Sequence, residues 1–217
     1  TARLLVPDHI QGAVVLDATA SRNVLYELFP PARVRRPPKG SRNYKNVTLH
    51  ISRGHKLGGG SMKDNSKQLS RELIAELNER LEENRKVFIC THKKVDAVLT
   101  SYEPKFNLKI GHWGAIDGSN DYRDCDTAVI FGIPYRPNIW AANVFMALQG
   151  EQSTEWLQQS DKRSWKKHED IRRSLNNGQI ITSIIQAINR VKCRKVIDAD
   201  GNCPNTDIYL MLPNDGI

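Results

Sequence analysis

The residues best placed to do chemistry lie in the stretch "IITSIIQAINRVKCRK", residues 180–195. At helical spacing, Gln186, Asn189 and Arg190 project together from the helix that this stretch predicts. A guanidinium held on a packed helix suits planar recognition of a phosphate oxygen, and a structural salt bridge is the rival interpretation of Arg190. A different, apolar face is expected to pack on a sheet, and it consists of Ile181, Ile184, Ile185 and Ile188.

A glycine-bearing stretch, "GHWGAIDGSN" at residues 111–120, could supply further phosphate contacts. Its three glycines allow tight backbone turns, while Ser119 and Asn120 offer a hydroxyl and an amide donor. Asp124 and Asp126 follow this stretch and could suggest a metal pair. Their position just before an apolar run favours the other interpretation, in which they cap the start of the next strand.

A third candidate lies where "VVLDATAS" leaves an apolar run. Asp17, Thr19 and their alanine neighbours are small or polar, so another chain or a ligand could approach them closely. Ser21 could then cap a following helix. An ordinary strand-to-helix turn is the alternative.

Alternating strands and helices must position these residues. Short β-branched runs bounded by turn residues predict strands, and segments with helical spacing lie between them. These segments lie within residues 65–86, at 93–102, and from the end of "TAVIFGIPYRPN" to the stretch at 180–195. The predicted strands are "GAVVLDA", "NVTLHIS", "KVFICTH", "TAVIFGI" and "DIYLMLP". This order predicts an α/β fold with a mainly parallel sheet covered by helices on both faces.

Two irregular segments divide the chain. The segment "SRGHKLGGGSMKDNS" is predicted to be a loop, either natural or shortened by design, because it has three consecutive glycines and no apolar periodicity. The segment "LFPPARVRRPPKGSRN" has four prolines and is predicted to be an extended linker. We therefore expect an N-terminal piece at 1–30, a linker at 31–46 and a main body at 47–217.

The charge of the chain favours a polyanionic partner. Its 217 residues include 32 Lys or Arg against 24 Asp or Glu, for a formal net charge of +8. The positive charge is concentrated in residues 22–56 and 161–195. Nucleic acid is the leading candidate partner, ahead of an acidic membrane surface, and two solvated charged faces are the plainer alternative.

Several other classes of protein fit poorly. No apolar run is long enough for a membrane span, and no signal-peptide pattern is present. The four cysteines are widely spaced without a C-x-x-C pair, which argues against a zinc knuckle or a disulfide framework and favours a reducing, cytoplasmic compartment. The first residue is Thr, and the chain is expected to be part of a longer protein.

Four stretches, in this order, resemble motifs of the C-terminal motor half of a superfamily 2 nucleic-acid helicase. "LDATAS" resembles motif III, "KVFICTHKK" motif IV, "GHWGAIDGSNDYRDCDTAVIFGIPYRP" motif V and "QAINRVKCR" motif VI. The layout is most similar to DEAD/DEAH-type DNA helicases of phage and bacterial genomes, and more distantly to the iron-sulphur DNA helicases. The resemblance runs from Val14 to Leu212 and implies a RecA-like domain, preceded by the end of a first one.

The resemblance also implies catalytic residues. Arg190 matches the first motif VI arginine, which in the family stabilises charge on the transferring phosphoryl group, and Gln186 matches the motif VI glutamine. Asn189 replaces the family's glycine, and Cys193 stands where the second arginine falls. Lys192 and Arg194 flank Cys193, and Arg194 is favoured over Lys192 for the role of the second arginine.

Binding residues follow in the same way. Asp117 and Gly114 would lie near the nucleotide, and Thr19 would link the nucleotide state to strand binding. The implied contacts to the nucleic-acid backbone are Thr91, His92, Ser119 and Asn120. Trp113 or Tyr122 could stack on a base, although packing in the core is the more ordinary role.

The sequence has no phosphate-cradling G-x-x-x-x-G-K-[ST] loop and no DExx motif on a strand. We therefore expect ATP and Mg²⁺ to be bound mainly by an N-terminal RecA-like domain of the same polypeptide, and this chain alone to be inactive. The predicted function is the C-terminal motor domain of an ATP-dependent helicase that acts on single-stranded DNA or RNA. The alternatives are a non-catalytic, basic RecA-like binding module and a duplex translocase or remodeller.

Overall fold

The computed structural model describes residues 14, 15, 17–29, 33–54 and 56–214. Five strands form one sheet in the order β1-β5-β4-β2-β3, and every neighbouring pair is parallel. They are β1 (Val47–Arg53), β2 (Lys86–Thr91), β3 (Asn107–His112), β4 (Thr127–Ile130) and β5 (Thr206–Leu212). The predicted α/β class is confirmed, and the sheet is consistent with a RecA-like fold.

Residues 113–126 join β3 to β4 without a helix, and the other consecutive strands are connected by helices. The helices are α1 (Gly59–Asp64), α2 (Ser66–Arg80), α3 (Lys93–Leu99), α4 (Asn138–Gln149), α5 (Thr154–Gln158) and α6 (Ile171–Ile188). Short 3-10 turns occupy Ala20–Arg22, Val24–Glu27 and Lys192–Arg194. Among the described residues, no helix is long and apolar enough to cross a membrane.

The chain divides by its contacts into two compact units. The helical unit comprises Thr1–Arg36 and Arg136–Thr182, and the sheet unit comprises Pro37–Tyr135 and Ser183–Ile217. The helical unit has its own core, formed by Leu28, Ala141, Phe145, Ile171 and Leu175. The grouping of 136–182 with the N-terminal segment was not predicted, and the expected boundaries at residues 30 and 46 stay a prediction.

The centre of the sheet is completely buried. The side chains of β4 and of Val87–Cys90 in β2 are inaccessible to solvent, as expected for the middle strands of a parallel sheet. By contrast, β1 lies at an edge and exposes Leu49 and Ile51 by 51% each. Of the candidate residues, Thr91 belongs to β2 and Gln186 to α6, whereas Ser119 and Asn120 lie on the loop after β3.

Some expectations were wrong in detail. The buried face of α6 and the turn after it is formed by Ile180, Ile184, Ala187 and Val191, whereas Ile181 is 38% exposed. A spacing of four, three and four residues follows the helical repeat, so one of the two adjacent isoleucines must face away. The segment 52–66 contains α1 as well as loop, because fully buried Met62 anchors a helical turn despite the glycines.

Two strand predictions also need correction. The strand β3 was missed because "NLKIGH" mixes apolar residues with Lys, Gly and His. The described residues of "GAVVLDA" form no strand, and Val14 and Val15 are 89% and 68% exposed. The rest of that segment lies outside the described residues.

Candidate functional site

The structure brings the predicted motif V and motif VI residues together within the sheet unit. Arg190 donates from Nη1 to the carbonyl oxygen of Ser119 at 3.3 Å. Arg194 donates from Nη1 to the side-chain oxygen of Asn120 at 3.0 Å. These four residues, here called the arginine–loop cluster, join the end of α6 to the loop that follows β3.

The end of α6 is a firm support for Arg190. The helical turn continues past Ile188, since the Arg190 amide donates to the carbonyl of Ala187 at 3.1 Å. Ala187 and Val191 are fully buried on either side of it along the chain. The Lys192 amide then donates to the carbonyl of Cys125 at 2.9 Å, which ties this turn to the residues before β4. The backbone that carries Arg190 is therefore fixed at several points.

The guanidinium of Arg190 retains unused hydrogen-bonding capacity. Its Nε is buried and has no hydrogen-bond partner within the described part of the chain. A buried donor without an acceptor costs about 1–3 kcal/mol, so an arriving oxygen acceptor would be favoured. No carboxylate pairs with Arg190 among the described residues, where its contact is a carbonyl oxygen. The rival interpretation, a structural salt bridge, gains no support there.

Residues of the predicted linker hold the same helix end. Arg42 donates to the backbone carbonyl of Arg194 and, at 3.1 Å, to the hydroxyl of Tyr44. The Tyr44 hydroxyl donates to the side-chain oxygen of Asn189 at 3.1 Å. Sequence reasoning found neither Arg42 nor Tyr44, because the only signal there was a run of basic residues. Asn189, which replaces the family's glycine, therefore has a structural partner.

Of the two candidates for the second arginine, Arg194 is the one whose side chain donates to Asn120 of this loop. Lys192 instead lies 3.9 Å from a carboxylate oxygen of Asp126, near the start of β4. Asp126 also accepts a hydrogen bond from Arg85 Nε at 2.8 Å, and Asp124 pairs with Lys195 at 3.1 Å. In the described residues, no group of three or more His, Cys, Asp or Glu could hold a metal ion.

The loop itself is built on glycine turns. Gly114 and Gly118 have φ angles of +89° and +77°, in the left-handed region that favours glycine, and both are exposed. Asp117 lies between them and is also exposed, while Ile116 is only 2% exposed and anchors the loop. The predicted nucleotide-facing residues are therefore open to solvent, as is Gln186 on α6.

The polar side chains at the end of the loop already have partners. The Ser119 hydroxyl donates to Asp121 at 2.8 Å, and Asn120 accepts from Arg194. Tyr122 stacks on Phe88 with ring centroids 4.0 Å apart, so its ring is a packing element here. The Nε1 of Trp113 is buried without a partner among the described residues, while the residue as a whole is partly exposed.

Three other predicted residues are much less accessible. Thr91 is fully buried, and its hydroxyl has no partner within the described residues. Thr19 is 2% exposed, and its hydroxyl donates to Asp17 at 2.6 Å. His92 is partly buried, with Nε2 3.2 Å from the carbonyl oxygen of Leu57. Contact of Thr91 or Thr19 with a nucleic acid would require the surrounding residues to move.

The ring of His92 is closely surrounded. A Cβ atom added at Gly132 would lie 2.8 Å from Cδ2 of His92, so only glycine fits there. Burial lowers the pKa of His92, and the hydrogen bond with the Leu57 carbonyl opposes this only in part. The imidazole is therefore held in its neutral form more strongly than in an unfolded chain.

A further polar pair at the same edge of the sheet was missed. His112, the last residue of β3, places Nδ1 2.8 Å from a carboxylate oxygen of Asp96 in α3. The sequence separates these residues by a strand and a loop, so no local pattern could indicate their contact. The pair fixes the orientation of the imidazole where the loop of the arginine–loop cluster begins.

Comparison with known proteins gives no assignment. No protein-family model matches this chain, and neither a curated protein nor a solved structure matches it significantly.

Proposed function

We propose that this chain is a RecA-like motor domain that takes part in ATP turnover on nucleic acid. More particularly, it would be the C-terminal motor domain of an ATP-dependent helicase, with Arg190 as the arginine finger. The observation that carries the proposal is the state of Arg190, which is fixed on a buried helix end. Among the described residues its buried Nε has no partner, and its guanidinium contacts a carbonyl oxygen rather than a carboxylate. A guanidinium with these properties suits a phosphoryl group that gains charge during transfer.

The second half of the site would be supplied by another RecA-like domain. That domain would carry the phosphate loop, which this sequence lacks, and would hold ATP with Mg²⁺. We propose that it belongs to the same polypeptide, and that Gln186, Asp117 and Gly114 face the nucleotide when the domains close. In this arrangement the chain contributes charge stabilisation, while the metal and the phosphates are held mainly by the partner domain.

The arginine–loop cluster suggests how nucleotide state would affect strand binding. Arg190 is bonded to the carbonyl of Ser119, and Arg194 to the side chain of Asn120. Movement of Arg190 toward a phosphoryl oxygen would break its bond to the loop. Ser119 and Asn120 could then change their contacts with the phosphate backbone of single-stranded DNA or RNA. The positive charge of the chain supports such a partner, and a cytoplasmic compartment is part of the same proposal.

The test is steady-state ATPase activity of this chain joined to its proposed ATP-binding domain, with and without single-stranded DNA. Arg190→Ala should lower the DNA-stimulated kcat by about 10³-fold, because a finger acts on the transition state. Affinity for DNA should stay within about twofold. Arg190→Lys should recover little activity, since an ammonium lacks the planar fork. Arg80→Ala, which removes an exposed arginine paired with Glu76, is the matched control.

A binding module without ATP turnover is the second candidate. The observation in its favour is the absence of a phosphate loop from the sequence. On that account Arg190 would contact a nucleic-acid phosphate directly, and Arg190→Ala would weaken DNA binding without changing any ATPase rate. The same pair of measurements therefore separates the two functions.

A further inference from the structure

The helical unit contains a basic cleft, whose described lining includes Ala20 and Ser21 at the end of the "LDATAS" stretch but is otherwise formed by residues outside the motifs. Its volume is about 550 Å³, within the range of pockets that hold small organic ligands. The walls come from the two 3-10 turns near the N-terminus, the segment around residue 35, and Lys166. The lining residues with basic, amide or aromatic side chains are Arg22, Asn23, Tyr26, Phe29, Arg36 and Lys166.

Basic side chains outnumber acidic ones in the described lining of this cleft. Arg22, Arg36 and Lys166 line it, and within the described residues none of them pairs with a carboxylate. The one acidic lining residue, Glu27, is already engaged by Lys167 and His168, each at 3.1 Å. A cleft lined by charge of one sign concentrates ions of the opposite sign. The expected ligand is therefore an anion.

The walls of the cleft are held in place. The hydroxyl of Tyr26 donates to Asp17 at 2.8 Å, and Asn23 accepts from the amide of Leu25 at 3.0 Å. The second 3-10 turn packs against α6 at Gly178, where an added Cβ would be in ordinary van der Waals contact with Val24 at 3.4 Å. The cleft is thus formed before any ligand arrives, which lowers the entropy cost of binding.

Lys166 is presented by a strained turn. Its φ angle of 49° lies in the left-handed region, which residues other than glycine rarely adopt. Reciprocal backbone hydrogen bonds between Trp165 and His168, at 2.9 and 2.8 Å, close the turn around it. Strain of this kind persists only where the surroundings impose it, and it concentrates at binding sites. The ammonium lies 4.3 Å from the Trp165 ring centroid, which is within the range of a cation–π contact.

We propose that this cleft binds the backbone of a single-stranded nucleic acid, with Arg22, Arg36 and Lys166 as ligands of its phosphates. The volume exceeds that of a bare phosphate and fits a nucleotide. Tyr26 and Phe29 supply aromatic surface in the same cleft, against which a sugar or base can pack. The inference rests on the proposed function and names a second contact surface, besides Ser119 and Asn120, for the same strand.

The test uses the whole 217-residue chain and a fluorescent oligothymidylate of about 12 nucleotides, titrated at salt concentrations from about 50 to about 200 mM. A variant with Arg22→Gln, Arg36→Gln and Lys166→Gln should bind about tenfold or more weakly at the lowest salt. Its log–log salt slope should be shallower by about 2, because each lost phosphate contact removes about 0.7. The matched control removes three exposed cations of the sheet unit, with Lys67→Gln, Arg71→Gln and Lys105→Gln.

A second variant distinguishes loss of DNA binding from loss of folding. Lys166→Gly removes the charge and also relieves the left-handed backbone, so it should raise the Tm by about 2–4 °C while weakening DNA binding. A variant that is more stable and binds less cannot have lost binding through unfolding. Loss of affinity without loss of stability therefore supports the cleft directly.

The outcomes separate this inference from the proposed function. Equal affinity and equal salt slope for the cleft variant and its control would overturn the cleft alone, since the Arg190 ATPase result would be unaffected. Cleft variants that lose binding of thymidine monophosphate but bind the oligonucleotide normally would show a free-nucleotide site, and would also overturn it. No binding of the oligonucleotide by the unaltered chain at low salt would overturn the cleft, and the ATPase test of the joined protein would still decide the proposed function.

Discussion

At the scale of single residues, the exposure and the hydrogen-bond partners of each candidate side chain are set by its surroundings in the fold. Residue type and spacing predicted Arg190, Gln186 and the exposed Asp117 as surface groups near the end of a helix or on a loop, and the structure places them there. The same reasoning could not show that Thr91 and Thr19 are buried, because burial depends on residues distant in sequence. Arg42, Tyr44 and Asp96 were missed for the same reason.

His92 gives a prediction at this scale. Burial lowers its pKa in the folded state, so the unfolded chain binds more protons between the two pKa values. The contribution of His92 to stability is therefore fully present above the unfolded pKa, near 6.5, and is lost as pH falls through the lowered folded pKa. Chemical denaturation of the chain and of His92→Gln at several pH values measures it. The stability difference between them should shrink as pH falls below about 6.5, and a difference that grows would contradict the assigned state.

At the scale of elements, the sheet is held by both apolar packing and one polar network. The strands β2, β4 and β5 were predictable because their β-branched, apolar runs are typical of buried parallel strands. The strand β3 and the helix α1 were not, since each is specified by neighbours: β3 by pairing with β2, and α1 by the burial of Met62. The periodicity of apolar residues within a segment shows neither which strand it pairs with nor which of its side chains is buried.

The polar network joins three strands at the amino edge of the sheet. Arg85, just before β2, donates to Asp126 at 2.8 Å and to Asp207 of β5 at 2.7 Å. Burial alone would raise the pKa of Asp207, but hydrogen bonds from His50 and Arg85 outweigh it, and the net shift is downward. Both carboxylates and the guanidinium are about three-quarters buried, so the network is screened less than a surface pair.

We expect Asp207→Asn to destabilise the fold by about 1–3 kcal/mol at neutral pH, because it leaves Arg85 with one charged partner. In the unaltered chain, the contribution of Asp207 should be present above the unfolded pKa, near 3.8, and be lost as pH falls through the lowered folded pKa. Thermal unfolding measures both effects. Asp124→Asn, at an exposed carboxylate paired with Lys195, is the control and should lower the Tm much less. Equal losses in the two variants would contradict a structural role for the network.

At the scale of the whole molecule, composition and element order predicted the α/β class, and charge indicated a polyanionic partner. The division into two units was not predictable, because it depends on contacts between the N-terminal segment and residues 136–182. The basic cleft was equally hidden: its cations come from both of the sequence segments where positive charge is concentrated, and only the fold of the helical unit brings them together.

The most direct test of the central claim is the affinity of the two-domain protein for ADP with fluoroaluminate, a mimic of the transferring phosphoryl group, compared with ADP alone. An arginine finger acts in the transition state and not on the bound diphosphate. Arg190→Ala should therefore weaken binding of the fluoroaluminate complex by about 10²-fold or more and leave the affinity for ADP unchanged. Equal affinities of the Arg190→Ala and unaltered proteins for the fluoroaluminate complex would contradict the assignment of Arg190 and the motor function built on it.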